Sequence, residues 1–262
     1  MGVTYSGGVV ALNPSDIAIR KGEVSVLLGR SGAGKSTLLR TMNLLVEPTS
    51  GTIKTKVLGL LNSPSAIRKH RRKTGMVFQQ HQLIGRQSSL TNVLTGRLSR
   101  YNTLRSFFPL RREDRELALS CLDRVGLLEK ALTRVDQLSG GQQQRVGVAR
   151  ALAMQPSLVL ADEPVASLDP ETSRELLTLL RNICLKDGIT LVISLHQVDF
   201  AREFADRIIA LSAGTIVFDD SPEKLDERTL RKIYQAGKSS EPSAGTSIEE
   251  PTPEPAAAKN AG

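Results

Sequence analysis

An α/β fold, a buried sheet with crossover helices, is what this sequence predicts, and three observations predict it. Short apolar runs alternate with amphipathic stretches through the first 236 residues, the rhythm of strands joined by helices. One apolar run ends in a glycine-rich loop that opens directly into a helix-like segment. The composition is that of a folded chain, 262 residues with 40% hydrophobic and 24% charged, so a sizeable core needs no disulfide or metal staple.

The elements follow in order. Val24–Leu28 reads as a buried strand from its length and unbroken apolar character. Residues 35–46 read as a helix stopped by Glu47-Pro48-Thr49-Ser50-Gly51. Residues 51–57 alternate like a strand, and 75–78 form another short one. A helix near 113–124 puts Leu117, Cys121, Leu122 and Val125 on one face. A helix over 141–154 precedes a strand at 158–161, and a helix over 170–187 carries Leu176, Leu177, Leu180, Ile183 and Cys184 at helical spacing. A strand at 190–195 follows at once, and the end reads as a hairpin of 207–211 and 215–218 around Ser212-Ala213-Gly214. Residues 1–236 form one unit. From 237 to 262 the chain turns to Pro, Ser, Ala and Glu, which bury too little apolar area to offset ordering, so this stretch reads as a disordered tail.

No apolar run approaches the ~18 residues needed to span a bilayer, and MGVTYSGGVV lacks the regions of a signal peptide. The chain is therefore expected neither to span a membrane nor to be exported. Cys121 and Cys184 lack CxxC spacing, which suits two buried thiols in a reducing cytosol. The formal charge is +8, and the tail with two Lys and four Glu is −2, so the body carries +10. A nucleic acid, an anionic membrane surface or an anionic ligand would each match that charge. Aromatics at 3% with no Trp are thin for stacking on single-stranded nucleic acid. The basic run at 68–73 reads as a solvated helix face. In the stretch 97–112, Phe107, Phe108 and Leu110 among arginines suit docking on a partner or a lipid headgroup surface, or internal packing.

The chemistry begins after the strand Val24–Leu28, with Gly29-Arg30-Ser31-Gly32-Ala33-Gly34-Lys35-Ser36-Thr37, a GxxxxGK[ST] loop between a strand and a helix. Its glycines let backbone N–H groups wrap phosphates, and the helix N-terminus adds positive potential. In such a loop Lys35 reaches the β and γ phosphates of a nucleotide and Ser36 ligates Mg²⁺. Downstream, the apolar strand LVLA exits into Asp162-Glu163, a Walker B arrangement in which Asp162 holds Mg²⁺ through water and Glu163 polarises the attacking water. Leu138-Ser139-Gly140-Gly141-Gln142 then sets a hydroxyl and unobstructed N–H groups at a helix start, a second anion-binding surface.

With that motif the chain resembles the ATP-binding cassette family, and the resemblance covers about residues 1–225. It implies a P-loop NTPase (RecA-like) core with a small antiparallel β portion and a helical subdomain near 85–155. It implies ATP and Mg²⁺ as ligands and a head-to-tail homodimer in which one chain's Ser139 segment closes on nucleotide held by the other. Residue by residue, Gln79 matches the glutamine that senses Mg²⁺ and the attacking water, with Gln80 the other register. Asp169, in Ser167-Leu168-Asp169, matches the loop linking the two sites. His196 matches the switch histidine on the γ-phosphate, and Tyr5, 30 positions before Lys35, the ring against adenine. The family opens with a strand before that ring where this chain has only 1–4, so either the start lies upstream or the edge strand is shortened. The sequence after residue 225 does not read as a β-rich regulatory domain, so feedback regulation through one is not expected.

Three separated stretches, FQQHQLIGRQSSLTNVLTGRL, LADEPVASLDPETS and GITLVISLHQVDFAREFADRIIAL, are similar to the ATPase subunits of phosphonate importers. The resemblance implies a peripheral subunit on the cytoplasmic face of the cell's inner membrane. There it would work on membrane permease subunits and, indirectly, a solute-binding protein, with no nucleic acid partner. A cassette for phosphite, methionine or a polar amino acid, an exporter, and a soluble cassette acting on DNA or ribosomes remain the alternatives.

Overall fold

The computed structural model describes residues 1–79, 82–101 and 110–235. Gln80, Phe107, Phe108 and the stretch 237–262 lie outside the described residues.

Six strands form the central sheet: β3 (Val24–Leu28), β6 (Thr74–Val77), β7 (Leu158–Asp162), β8 (Thr190–Leu195), β9 (Arg207–Ser212) and β10 (Thr215–Asp220). Their spatial order is β10-β9-β3-β8-β7-β6; only β10 runs antiparallel to its neighbour. Parallel strands need crossovers, and the crossovers cover both faces of the sheet. That cover explains the apolar runs. Within β3, Val24, Val26 and Leu28 enter one buried cluster and Leu27 the other; β9 divides Ile208 and Ala210 from Ile209 and Leu211 in the same way. A strand buried on both faces leaves no side for polar residues, so its sequence reads as continuous rather than alternating.

Helix α1 (Lys35–Met42) lays Leu38, Leu39 and Met42 on the smaller cluster, together with Val3 of β1 (Val3–Thr4) and Leu12 of β2 (Val10–Leu12). The antiparallel portion is slight: β1 pairs β2, and β4 (Lys54–Thr55) pairs β5 (Gly59–Leu60). The expected strand over 51–57 thus shrinks to two residues in a two-stranded ladder.

Helix α1 also ends four residues earlier than its pattern suggests. Helix α2 (Pro64–Arg72), N-capped by Ser63, brings His70 Nε2 to within 2.9 Å of the Met42 carbonyl, while the Arg71 guanidinium donates to the carbonyls of Asn43 and Leu44. These side chains satisfy carbonyls that a longer helix would have used itself. The basic run 68–73 is therefore not wholly solvated, since His70 is buried.

Helices α3 (Ser89–Thr95), α4 (Arg112–Arg124) and α5 (Gly140–Ala153) pack on one another through Val93, Ala118, Cys121, Leu122, Val146 and Ala149. A buried ion pair joins their bases: Arg97 Nε lies 2.7 Å from Asp114 Oδ1, and Arg97 also donates to the Ala153 carbonyl at 2.8 Å. Helix α6 (Pro170–Asp187) matches its expected bounds, and α7 (Val198–Phe204) and α8 (Glu227–Gln235) complete the described chain. In the β9–β10 turn, Ala213 and Gly214 both have positive φ, the geometry that matches strand twist in a two-residue hairpin.

Candidate active site

The carboxyl ends of β3, β7 and β8 lie side by side, with Leu28 in register with Leu195 and Asp162 with Ser194. Open α/β sheets bind ligands at such an edge. From it leave the glycine-rich loop, the Asp162-Glu163 pair and the loop carrying His196. Gln79 is exposed two residues beyond β6, whose Val77 is in register with Ala161, so it stands on the same edge.

The loop turns on glycines. Gly29, Gly32 and Gly34 all have positive φ. At Gly34 a Cβ would lie 2.6 Å from the Ala11 carbonyl oxygen, so only glycine lets the loop turn into α1 there. The N–H groups of Lys35, Ser36 and Thr37 find no acceptor among the described residues, the ordinary state of a helix's first turn and a ready anion cradle. Tyr5, partly exposed, stands at the far end of that turn, its phenol oxygen 3.3 Å from Thr37 Oγ1.

Lys35 is 3% exposed, and its ammonium is folded onto its own loop, donating to the carbonyls of Gly29 at 2.9 Å and Arg30 at 3.0 Å. Burial pushes its pKa below the ordinary lysine value, while Glu163 and then Asp162 pull the other way. Glu163 Oε1 lies 3.6 Å from Lys35 Nζ and 2.7 Å from His196 Nε2, and His196 Nδ1 lies 3.3 Å from Lys35 Nζ. The three residues meet in one cluster.

Glu163 has φ +48, a left-handed conformation that costs a non-glycine residue of order 1–3 kcal/mol. A residue absent from the sequence argument, Ser194, holds it there. The Ser194 hydroxyl, fully buried, accepts the Glu163 N–H at 2.9 Å and donates to Asp162 Oδ1 at 3.0 Å. The available signal was a serine inside the apolar run that follows Thr190 in β8. Arg40 Nη2, 3.8 Å from Asp162 Oδ2, was likewise not anticipated.

Ser36 Oγ donates to Asp162 Oδ1 at 2.7 Å. One hydroxyl and one carboxylate at the phosphate cradle form a hard, all-oxygen donor pair. Such a pair fits Mg²⁺, which takes few ligands from protein and the rest from phosphate and water.

The Ser139 segment caps α5. Ser139 Oγ accepts the Gln142 N–H at 3.3 Å, and Gln142 Oε1 accepts the Ser139 N–H at 3.1 Å, a complete capping box. Gly140 faces Leu168, and a Cβ on Gly141 would lie 2.9 Å from Thr172 Cγ2. Thr172 is in turn tied to Asp169, which N-caps α6 by accepting the Thr172 N–H at 2.9 Å. The signature segment therefore packs beside the Ser167–Asp169 loop, with Ser139 and Gly140 exposed. Among the described residues, no hydrogen bond joins Ser139, Gly140 or Gly141 to the glycine-rich loop of the same chain.

A P-loop and a carboxylate pair at one sheet edge, with a capped Ser-Gly-Gly helix beyond, define an ATP-binding cassette ATPase. A family model described as ABC transporter matches residues 12–166, and the chain belongs to that family. It is 61% identical over 251 residues to the phosphite import ATP-binding protein PxtA of Stutzerimonas stutzeri, covering 96% of this chain and 90% of that protein. It is 58% identical to the phosphonates import ATP-binding protein PhnC 3 of Nostoc sp. (strain PCC 7120), covering 89% of each chain. Among solved structures it is similar to the cassette MJ0796 in a post-hydrolysis dimer bound to ADP and Pi, with TM-score 0.74, 35% identity and coverage of 86% and 97%. It is also similar to cbiO1 from Clostridium perfringens, with TM-score 0.76, 30% identity and coverage of 88% and 90%. The chain binds ATP and hydrolyses it.

Proposed function

We propose that this chain is the ATP-hydrolysing subunit of an importer for a phosphonate or its close analogue phosphite. The observation that carries the solute class is 61% and 58% identity, along most of the chain, to a phosphite and a phosphonate import ATP-binding protein. The chain sits peripherally on the cytoplasmic face of the membrane and acts on permease subunits; among the described residues no helix is long and apolar enough to cross a bilayer. Two copies pair head to tail, and the cassette MJ0796 supports that reading because it is dimeric with ADP and Pi.

In this reading the N–H groups of the first turn of α1 and the Lys35 ammonium bind the phosphates, and Tyr5 stacks on adenine. Ser36 and Asp162 hold Mg²⁺, with Gln79 beside them. The ion, when bound, neutralises charge on the β and γ phosphates. Lys35 leaves the carbonyls of Gly29 and Arg30 for the nucleotide. Glu163, fixed by Ser194, accepts the proton of the attacking water, and His196 orients Glu163 and faces the γ-phosphate. Ser139, Gly140, Gly141, Gln142 and Asp169 act on the nucleotide of the second copy. Domain bounds of 1–236, with the helices near 85–155 as a subdomain, belong to the same reading.

Reconstitution with the permease and the solute-binding protein tests the solute. A phosphonate or phosphite should raise ATP turnover, and only when the binding protein is present, since the solute reaches the ATPase through conformational coupling alone. Stimulation by an amino acid, with phosphonates and phosphite inert over the same range, would refute the solute class and leave the ATPase standing.

A further inference from the structure

Helix α8 lies at the far end of the described chain, yet one of its residues is bonded to two loops of the candidate active site. The Tyr234 phenol donates to the His196 carbonyl at 3.0 Å, and the Arg30 guanidinium of the P-loop donates to the Tyr234 carbonyl at 3.3 Å. Arg30 and His196 follow β3 and β8, whose last residues, Leu28 and Leu195, are paired in register. Tyr234 therefore clasps the ends of the two central strands, through its side chain on one and its main chain on the other.

The clasp is itself held. Ile233, 1% exposed, is anchored in the larger core, and the half-buried Tyr234 ring packs against that core with Leu230. Burial raises the phenol pKa, so its proton stays on and remains available to the carbonyl.

His196 needs such support. It lies just past the end of β8, its side chain is 39% exposed, and its ring contacts Glu163 and Lys35, of which Lys35 must change partners when a triphosphate enters. A ring that has to exchange partners is placed reliably only if its main chain stays fixed. A displacement of about 1 Å at a reacting group can cost 10²-fold in rate.

We propose that Tyr234 is a positioning residue: by holding the His196 carbonyl it fixes the switch-histidine loop against the P-loop, making helix α8 part of the hydrolytic apparatus. The proposal rests on the reading of Lys35, Glu163 and His196 as the ATPase cluster.

Its test uses the full-length subunit in the assembled transporter. Tyr234→Phe keeps the ring and removes only the donor, and one such hydrogen bond corresponds to about a fivefold to tenfold effect. The expected result is a fall in kcat of about that size, with KM for ATP within about twofold, a thermal midpoint lowered by no more than about 4 °C, and faster amide exchange at residues 196–198. Lys232→Gln, on the exposed side of the same helix, should leave all four unchanged. In a His196→Ala background, where no ring remains to be placed, adding Tyr234→Phe should change the residual turnover by less than twofold. A Tyr234→Phe subunit with parental kcat would overturn the proposal, as would the same fivefold loss in the His196→Ala background or a kcat loss accompanied by a fall in thermal midpoint well beyond about 4 °C. If His196→Ala alone turned over at the parental rate, the reading of the ATPase cluster would fall together with the proposal. If His196→Ala were inactive and Tyr234→Phe parental, only the proposal would fall.

Discussion

Ser194 holds Glu163, the residue proposed to accept the proton of the attacking water. The glutamate occupies a left-handed conformation, donates its backbone N–H to the Ser194 hydroxyl and sets its carboxylate against the His196 ring. Replacing the carboxylate by an amide preserves shape and removes the base. Glu163→Gln is expected to bind ATP with parental affinity, to lose about 10²–10⁴ in turnover, and to accumulate a closed dimer with ATP; nucleotide binding and gel filtration would check this. Parental turnover would remove Glu163 from its role. The placing of Lys35, Asp162 and Glu163 at one sheet edge was legible from their positions after strands and a glycine-rich loop, whereas His196 entered only through the family resemblance. Ser194 and Tyr234 were not legible, because their partners lie about 32 and 38 residues away and only sheet register and helix docking bring them together.

Helix ends make the next scale testable. Helix α5 starts where Ser139 caps it, so that residue has a structural task as well as its proposed one. Ser139→Ala should cost about 1 kcal/mol of stability. Ser139→Asp separates the two tasks, since aspartate caps as well as serine but sets a carboxylate where a partner's triphosphate would lie. Its thermal midpoint should stay close to parental while ATP turnover is lost; retained turnover would confine Ser139 to capping. At α1 the cap is His70, whose pKa burial holds below 6.5, with the neighbouring Arg71 charge acting the same way and the Met42 carbonyl opposing. The unfolded chain therefore binds the proton first. Stability from this site is complete above pH 6.5 and falls as pH drops below it toward the lower folded value. His70→Gln keeps a donor for the carbonyl without titrating, so its stability should decline less than the parental value over that window in denaturant titrations. The sequence showed β3, β8 and α6 nearly to the residue because apolar runs between breakers mark buried parallel strands and long helices. It overextended α1 and the 51–57 strand, since one is ended by side chains about 28 residues distant and the other is a short edge ladder.

For the whole molecule, the sheet places the P-loop at one edge while the Ser139 segment packs beside the Ser167–Asp169 loop. Ser31 and Ser139 are both exposed, with no hydrogen bond joining the signature segment to its own P-loop among the described residues. In the proposed reading a site made of both surfaces would come from two copies, and because each chain lends its signature to the other the pairing is isologous and closes as a two-fold dimer. Cys121 and Cys184 are both buried, and burial pushes their pKa up to about 11 and about 12, so both are expected to react slowly with a maleimide. The most direct measurement is therefore a crosslink between two differently tagged subunits, one carrying Ser31→Cys and the other Ser139→Cys, both in the Glu163→Gln background and joined by a short bis-maleimide. ATP should produce a species bearing both tags, absent without nucleotide. A crosslink that forms only within a chain carrying both cysteines, with no doubly tagged species in ATP, would contradict the head-to-tail composite site.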